Sequence, residues 1–190
     1  MTERWRCFVA VPLDASIRDA LGRAREPWMG RPDLAGLRWS DPSAWHLTLA
    51  FLGDIDATSV SDVVGSIRRV AERHAPMRLP VGGLGTFPTP ARARVAWYGI
   101  GDPGSHLAGL ARDLGAALGV EVGDPLRPHV TIARARREPV DLRRWLTDAA
   151  EVAPSMTVAA DAIELMRSHL RGGPAAYETL STIALAGARA

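Results

Sequence analysis

Residues 45–53 read Trp45-His46-Leu47-Thr48-Leu49-Ala50-Phe51-Leu52-Gly53, and residues 127–134 read Arg127-Pro128-His129-Val130-Thr131-Ile132-Ala133-Arg134. Each is a short, β-prone apolar run with His-x-Thr near its head. On a strand, residues two apart point to the same face. His46 and Thr48 therefore share one face, with Leu47 and Leu49 on the other. His129 and Thr131 repeat the arrangement, with Val130 and Ile132 behind them. An offset of 83 residues relates the two copies.

The segments around the copies repeat as well. Arg6-Cys7-Phe8-Val9-Ala10-Val11 reads as a strand closed by Pro12. Asp14 is placed to cap a helix with Ile17, Ala20, Leu21 and Ala24 on one stripe. After the first motif, which Gly53-Asp54 should end, Val60, Val63, Val64, Ile67, Val70 and Ala71 mark a second helix. A strand follows over 77–81, then a turn-rich segment from Gly82 to Pro88. The second half reads as a strand at 94–100, then a helix capped by Asp102-Pro103 and carrying Leu107, Leu110, Ala111, Leu114 and Leu118. After the second motif come a helix opened by Pro139 and two strands near 156–167 and 177–185. Each half is thus strand, helix, motif strand, helix, strand. The expected fold is α+β: two pseudo-symmetric lobes, each a mostly antiparallel sheet with helices on its outer face, forming one central cleft. One domain is expected over 1–190, its similar halves meeting near residue 90.

Composition removes several chemistries. Among 190 residues there is no lysine; arginine supplies every basic side chain. That excludes a Walker A lysine, a Schiff-base lysine and a nucleotidyl-lysine. A single cysteine, Cys7, excludes an internal disulfide and a Cys-rich zinc site. The formal net charge of +2 argues against strong non-specific nucleic-acid binding, while arginine suits bidentate recognition of phosphate. No stretch has the roughly 20 apolar residues of a membrane span. The N-terminal apolar run is too short for a signal peptide, so a cytoplasmic location is expected.

One His-x-Thr is weak evidence, because a lone histidine on a strand is usually structural. Two copies on equivalent strands, facing each other across a pseudo-twofold axis, make a two-histidine, two-hydroxyl site. Opening a strained cyclic phosphodiester requires a base to deprotonate water and an acid to protonate the departing ribose oxygen. Histidine can serve in either role near neutral pH. Thr48 and Thr131 can donate to the phosphoryl oxygens, and Arg134 can clamp the same phosphate. A zinc site is disfavoured, since there is no His-x-x-x-His pair and no carboxylate within either motif. A Gly-x-Ser-x-Gly nucleophile elbow is absent too. Phe51 and Phe87 are candidates for stacking a base. Trp39 and Trp45 flank the first motif without a ranking between them, Arg92 and Arg94 are read as either an extension of the phosphate track or a solvated edge, His169 as a cleft or turn residue, and His74 and His106 as surface residues.

These residues resemble the 2H phosphoesterase superfamily, and within it the LigT-like RNA 2′,3′-cyclic phosphodiesterases, also called 2′-5′ RNA ligases. The resemblance covers nearly the whole chain. It includes residues 6–13, both motifs, Gly83-Leu84-Gly85-Thr86-Phe87-Pro88, Arg94-Val95-Ala96-Trp97, and Ser168-His169-Leu170 followed by Gly173-Pro174 and Tyr177. It departs at Trp45, at Leu126 and in the spacing of Gly173 to Tyr177, all outside the His-x-Thr residues. The resemblance implies hydrolysis to a 2′-phosphomonoester, with ligation as the reverse reaction. It implies His46 as proton donor, His129 as proton acceptor, and Thr48 and Thr131 as phosphate holders. It implies no metal and no cofactor. A monomer acting on an RNA 3′ end or a cyclic nucleotide is expected. The competing readings are a phosphodiesterase for ADP-ribose 1″,2″-cyclic phosphate and a non-catalytic nucleotide- or RNA-binding module.

Overall fold

The computed structural model of the chain describes residues 2–123, 125–150, 156–169 and 176–188. Leu170, Gly173 and Pro174 lie outside the described residues. Strand β1 (Arg4–Pro12) buries its apolar stretch from Cys7 to Val11. Helix α1 (Ala15–Arg25) starts where the Asp14 carboxylate accepts the Ile17 N–H at 2.8 Å, satisfying one of the orphan donors of the first turn. Then come β2 (Leu37–Trp39), β3 (His46–Asp56), α2 (Val60–Ala71), β4 (Met77–Phe87) and β5 (Val95–Ile100). Helix α3 (His106–Leu118) is capped by Asp102, whose two carboxylate oxygens accept the Leu107 and Ala108 N–H groups, both at 2.9 Å. Strand β6 (His129–Ala135), α4 (Arg143–Ala150), β7 (Thr157–Ala160), β8 (Ala162–His169) and β9 (Ala176–Ala184) complete the chain.

The strands form one antiparallel sheet in the order β7-β4-β5-β6-β3-β1-β8-β9, with β2 beside β6. Its two halves meet at a single pair, Leu47 with Val130. Those residues are themselves related by the 83-residue offset, so a pseudo-twofold axis passes between them. The sheet halves draw on both halves of the sequence: β2 joins β6, while β8 and β9 join β1. Leu47, Leu49, Val130 and Ile132 are buried on the helix side, where α3 packs behind β3 with Leu107, Leu110 and Leu114 fully enclosed. The expected two-lobed α+β architecture with outer helices is therefore present, its lobes joined through one sheet.

Four boundaries differ from expectation. Of the supposed turn over 82–88, all but Pro88 is the second half of β4, which remains paired with β5 through Leu84–Tyr98 to Phe87–Val95. Gly85 is a packing glycine here: a Cβ on it would sit 2.1 Å from the Trp97 ring, so the indole lies across the strand where any side chain would collide. Gly53 does not end β3 but continues it at φ +67°, which glycine adopts without the steric cost other residues incur. Pro139 does not open α4, because Val140 forms a bridge with Ala93 first and the helix starts at Arg143. The strand expected over 156–167 is broken at Asp161 into β7 and β8, which sit in opposite halves of the sheet.

Candidate active site

The two motif strands share an extra residue at the same place, and β3 has a second at Leu52, between the pairs Phe8–Phe51 and Cys7–Gly53. On β1–β3, Val9 pairs with Ala50 and Ala10 with Thr48, leaving Leu49 unpaired. On β5–β6, Ala96 pairs with Ala133 and Trp97 with Thr131, leaving Ile132 unpaired. These β-bulges shift the alternation by one. Leu49 and Ala50 are consecutively buried, as are Ile132 and Ala133. The next residues, Phe51 and Arg134, are thereby returned to the face of the histidines. Strict alternation would have turned both away. Phe51, 66% exposed, and the exposed Arg134 are symmetry equivalents of different chemistry, which makes the cleft asymmetric.

One cleft of about 410 Å³ is lined by His46, Thr48 and Phe51 from β3 and by His129, Thr131 and Arg134 from β6. The antiparallel register around Leu47–Val130 sets His46 on the side of Thr131 and Thr48 on the side of His129. The Nδ1 of His46 lies 2.9 Å from the Ala44 carbonyl, and that of His129 lies 2.7 Å from the Arg127 carbonyl. A carbonyl only accepts, so in both rings Nδ1–H donates and Nε2 is left to take or give a proton. Each ring is braced by aromatics. His46 sits 4.7 Å from Phe8 and meets Tyr177 edge-on at 4.9 Å; His129 meets Phe87 edge-on at 5.0 Å, with Trp97 at 5.8 Å.

Burial depresses both imidazoles. His46 is pushed down to about 4, chiefly by desolvation; the Ala44 carbonyl opposes the shift, and the charges of Arg134 and His129 add to it. His129 is lowered by desolvation and by Arg134, against the Arg127 carbonyl. One guanidinium thus acts on both rings. Among the described residues, no group of three or more His, Cys, Asp or Glu side chains gathers as a metal site.

The profile of the family described as LigT like Phosphoesterase matches residues 11–97 and 100–176. The chain belongs to this family. It is 34% identical over 138 residues to an RNA 2′,3′-cyclic phosphodiesterase of Aquifex aeolicus, covering 69% of this chain and 71% of that one. It is 31% identical over 195 residues to the enzyme of the same name from Geobacillus stearothermophilus; the match spans 98% of this chain but only 59% of that longer relative. Escherichia coli LigT complexed with 3′-AMP superposes with a TM-score of 0.73 at 26% identity, covering 96% of this chain and 99% of that one.

Against this LigT-like frame, the cleft holds six of the seven residues named from sequence as acid–base, phosphate-holding or stacking candidates. Phe87 is the exception: it is half-buried behind His129 and Trp97 and does not line the cleft. His169 is tied to Glu178 at 3.0 Å and His74 to Asp113 at 2.9 Å, and neither lines the cleft. Sequence reasoning missed Phe8, Arg38 and Arg25. Arg25 is 8% exposed in the core, donates to the Ser40 carbonyl and lies 4.9 Å over the Trp45 ring. Ser40 in turn donates its N–H to the Ile132 carbonyl at 2.9 Å and its hydroxyl to the Thr131 carbonyl at 3.2 Å. The 39–45 segment therefore straps the bulge of the second motif to the start of the first. Nothing in a local pattern distinguishes Arg25, because its partners are distant in sequence.

Proposed function

We propose that this chain hydrolyses RNA 2′,3′-cyclic phosphate ends to 2′-phosphomonoesters without a metal ion, one chain supplying the whole site. The observation that carries the reading is the pair of histidines with Nδ1–H fixed on backbone carbonyls and Nε2 free in one cleft. The names of the relatives and the 3′-AMP complex of E. coli LigT support a nucleotide substrate. His129 Nε2 removes a proton from water as its oxygen attacks phosphorus. The Thr48 and Thr131 hydroxyls and the Arg134 guanidinium hold the non-bridging oxygens as charge develops on them. His46, protonated as the anionic phosphate enters, gives its proton to the departing 3′ oxygen. Phe51 offers a face for the terminal base, and Phe87 holds the His129 ring from behind. Ligation follows the same path with an RNA 5′-hydroxyl in place of water: its oxygen attacks phosphorus, the 3′ oxygen leaves and takes the His46 proton, and a 2′-5′ phosphodiester is formed.

The test is turnover of an RNA oligomer ending in a 2′,3′-cyclic phosphate, with EDTA present. Wild type should release a 2′-phosphate end. His46→Ala and His129→Ala should each lose about 10²–10⁴-fold in kcat. Abolition of wild-type activity by EDTA would overturn the metal-free mechanism, and full activity in either variant would overturn the two-histidine one.

A further inference from the structure

The cleft is electrically lopsided. At the β1–β3 end, Arg6 is the cross-strand partner of Asp54, a pairing of opposite charge. At the β2–β6 end, Arg38 is the cross-strand partner of Arg134, and both line the cleft. Directly opposed residues of an antiparallel pair sit about 5 Å apart, where like charges destabilise the sheet. Among the described residues, neither guanidinium has an ion-pair or hydrogen-bond partner, whereas Arg31, Arg78, Arg143 and Arg167 are all paired with acids. Asp41, the carboxylate lining the cleft nearby, is taken by the N–H and hydroxyl of Ser43. Two opposed, unneutralised arginines in a cleft are the arrangement an anionic ligand relieves. The next residue of β2, Trp39, alternates to the core face, where it pairs with the buried Ala133 and meets the buried Trp145 edge-on at 6.4 Å. Arg94 and Arg136 continue the basic edge, reaching the Arg137 and Leu37 carbonyls.

We propose that Arg38 forms a second phosphate subsite, taking the phosphodiester that precedes the terminal nucleotide. Resting on the function proposed above, this makes the preferred substrate an RNA end of at least two nucleotides. Arg134 holds the reacting phosphate, and Arg38, one strand away, holds the next. A cyclic mononucleotide reaches only the first of these positions.

Binding separates this subsite from the chemistry. The probes are a ribodinucleotide ending in 2′-phosphate and 2′-AMP, titrated into wild type and Arg38→Ala, with melting checked for each. Wild type should bind the dinucleotide at least tenfold more tightly than 2′-AMP. Arg38→Ala should abolish most of that ratio and flatten the dependence of log Kd on log salt by about 0.7 for the dinucleotide. Equal affinity for the two probes in wild type, or an equal loss for both in Arg38→Ala, would overturn the subsite. Turnover of 2′,3′-cyclic AMP by the same wild-type sample reports the chemistry independently. Tight dinucleotide binding without turnover would sink the enzymatic reading and leave the subsite standing; turnover without a binding preference would do the reverse.

Discussion

At the scale of single residues, the cleft sets the two histidines against their usual chemistry. Both are held neutral at neutral pH, His46 down to about 4, because burial removes solvent from the charged form and Arg134 repels it. Acid–base catalysis by the pair requires one proton between them. In the free enzyme that form becomes scarce above the higher of two macroscopic values, both below the ordinary 6.5. The value of kcat/KM, which reports free-enzyme ionisations, should therefore peak below pH 6.5 and fall towards tenfold per unit on the alkaline side. A bound phosphate anion offsets the Arg134 charge, so the optimum of kcat should lie at higher pH than that of kcat/KM. Arg134→Gln removes a lowering cause and should move the kcat/KM optimum upward while raising KM. A pH–rate series on both proteins checks this; coincident optima for kcat and kcat/KM would contradict it.

At the scale of elements, the site is built by bulges and a strap rather than by motif residues alone. His46, Thr48, His129 and Thr131 were legible because strand periodicity places them correctly. Phe51 and Arg134 were legible as residue types, but not by face: the alternation that places the histidines turns them away, and only the unpaired Leu49 and Ile132 bring them back. A bulge has no residue signature of its own, since Leu and Ile also suit a regular strand. The extension of β4 was hidden for a related reason, because Gly85 reads as a turn until Trp97 is seen lying over it. Arg25 shows the limit most clearly, as a helix residue whose carbonyl partner belongs to the strap. Replacing it with Met leaves the Ser40 carbonyl unpaired at about 1–3 kcal/mol, partly offset by no longer burying a guanidinium. Because Ser40 holds the Thr131 and Ile132 carbonyls and Trp45 precedes His46, Arg25→Met should lower kcat about tenfold with KM changed less than threefold. Arg25→Lys should recover part of the loss. A lowered melting temperature with unchanged kcat would reduce Arg25 to a purely structural role.

At the scale of the whole molecule, the cleft costs the fold stability in acid, and the sign follows from the same two groups. An unfolded histidine takes up a proton near 6.5. His46 in the folded chain does not do so until about 4, and His129 is also lowered. Above 6.5 neither state binds the proton, and the histidines leave stability unaffected. Below it the unfolded state gains protons that the native state refuses, so the free energy of unfolding falls by about 1.4 kcal/mol per pH unit for each such group. Glu3, Asp14, Asp33, Asp41 and Asp141 are held below their ordinary values, so their losses begin in more acidic solution, leaving the interval from 6.5 to 5 to the imidazoles. The melting temperature of wild type should drop across that interval, and His46→Asn should flatten the drop. An anion between the rings raises their folded values, so binding it takes up protons and stabilises most where protons are available. Sulfate, whose charge is constant here, should raise the melting temperature more at pH 5.5 than at pH 8. Equal stabilisation at the two pH values would mean that the anion is held by Arg134 and Arg38 alone, without the imidazoles sharing its charge.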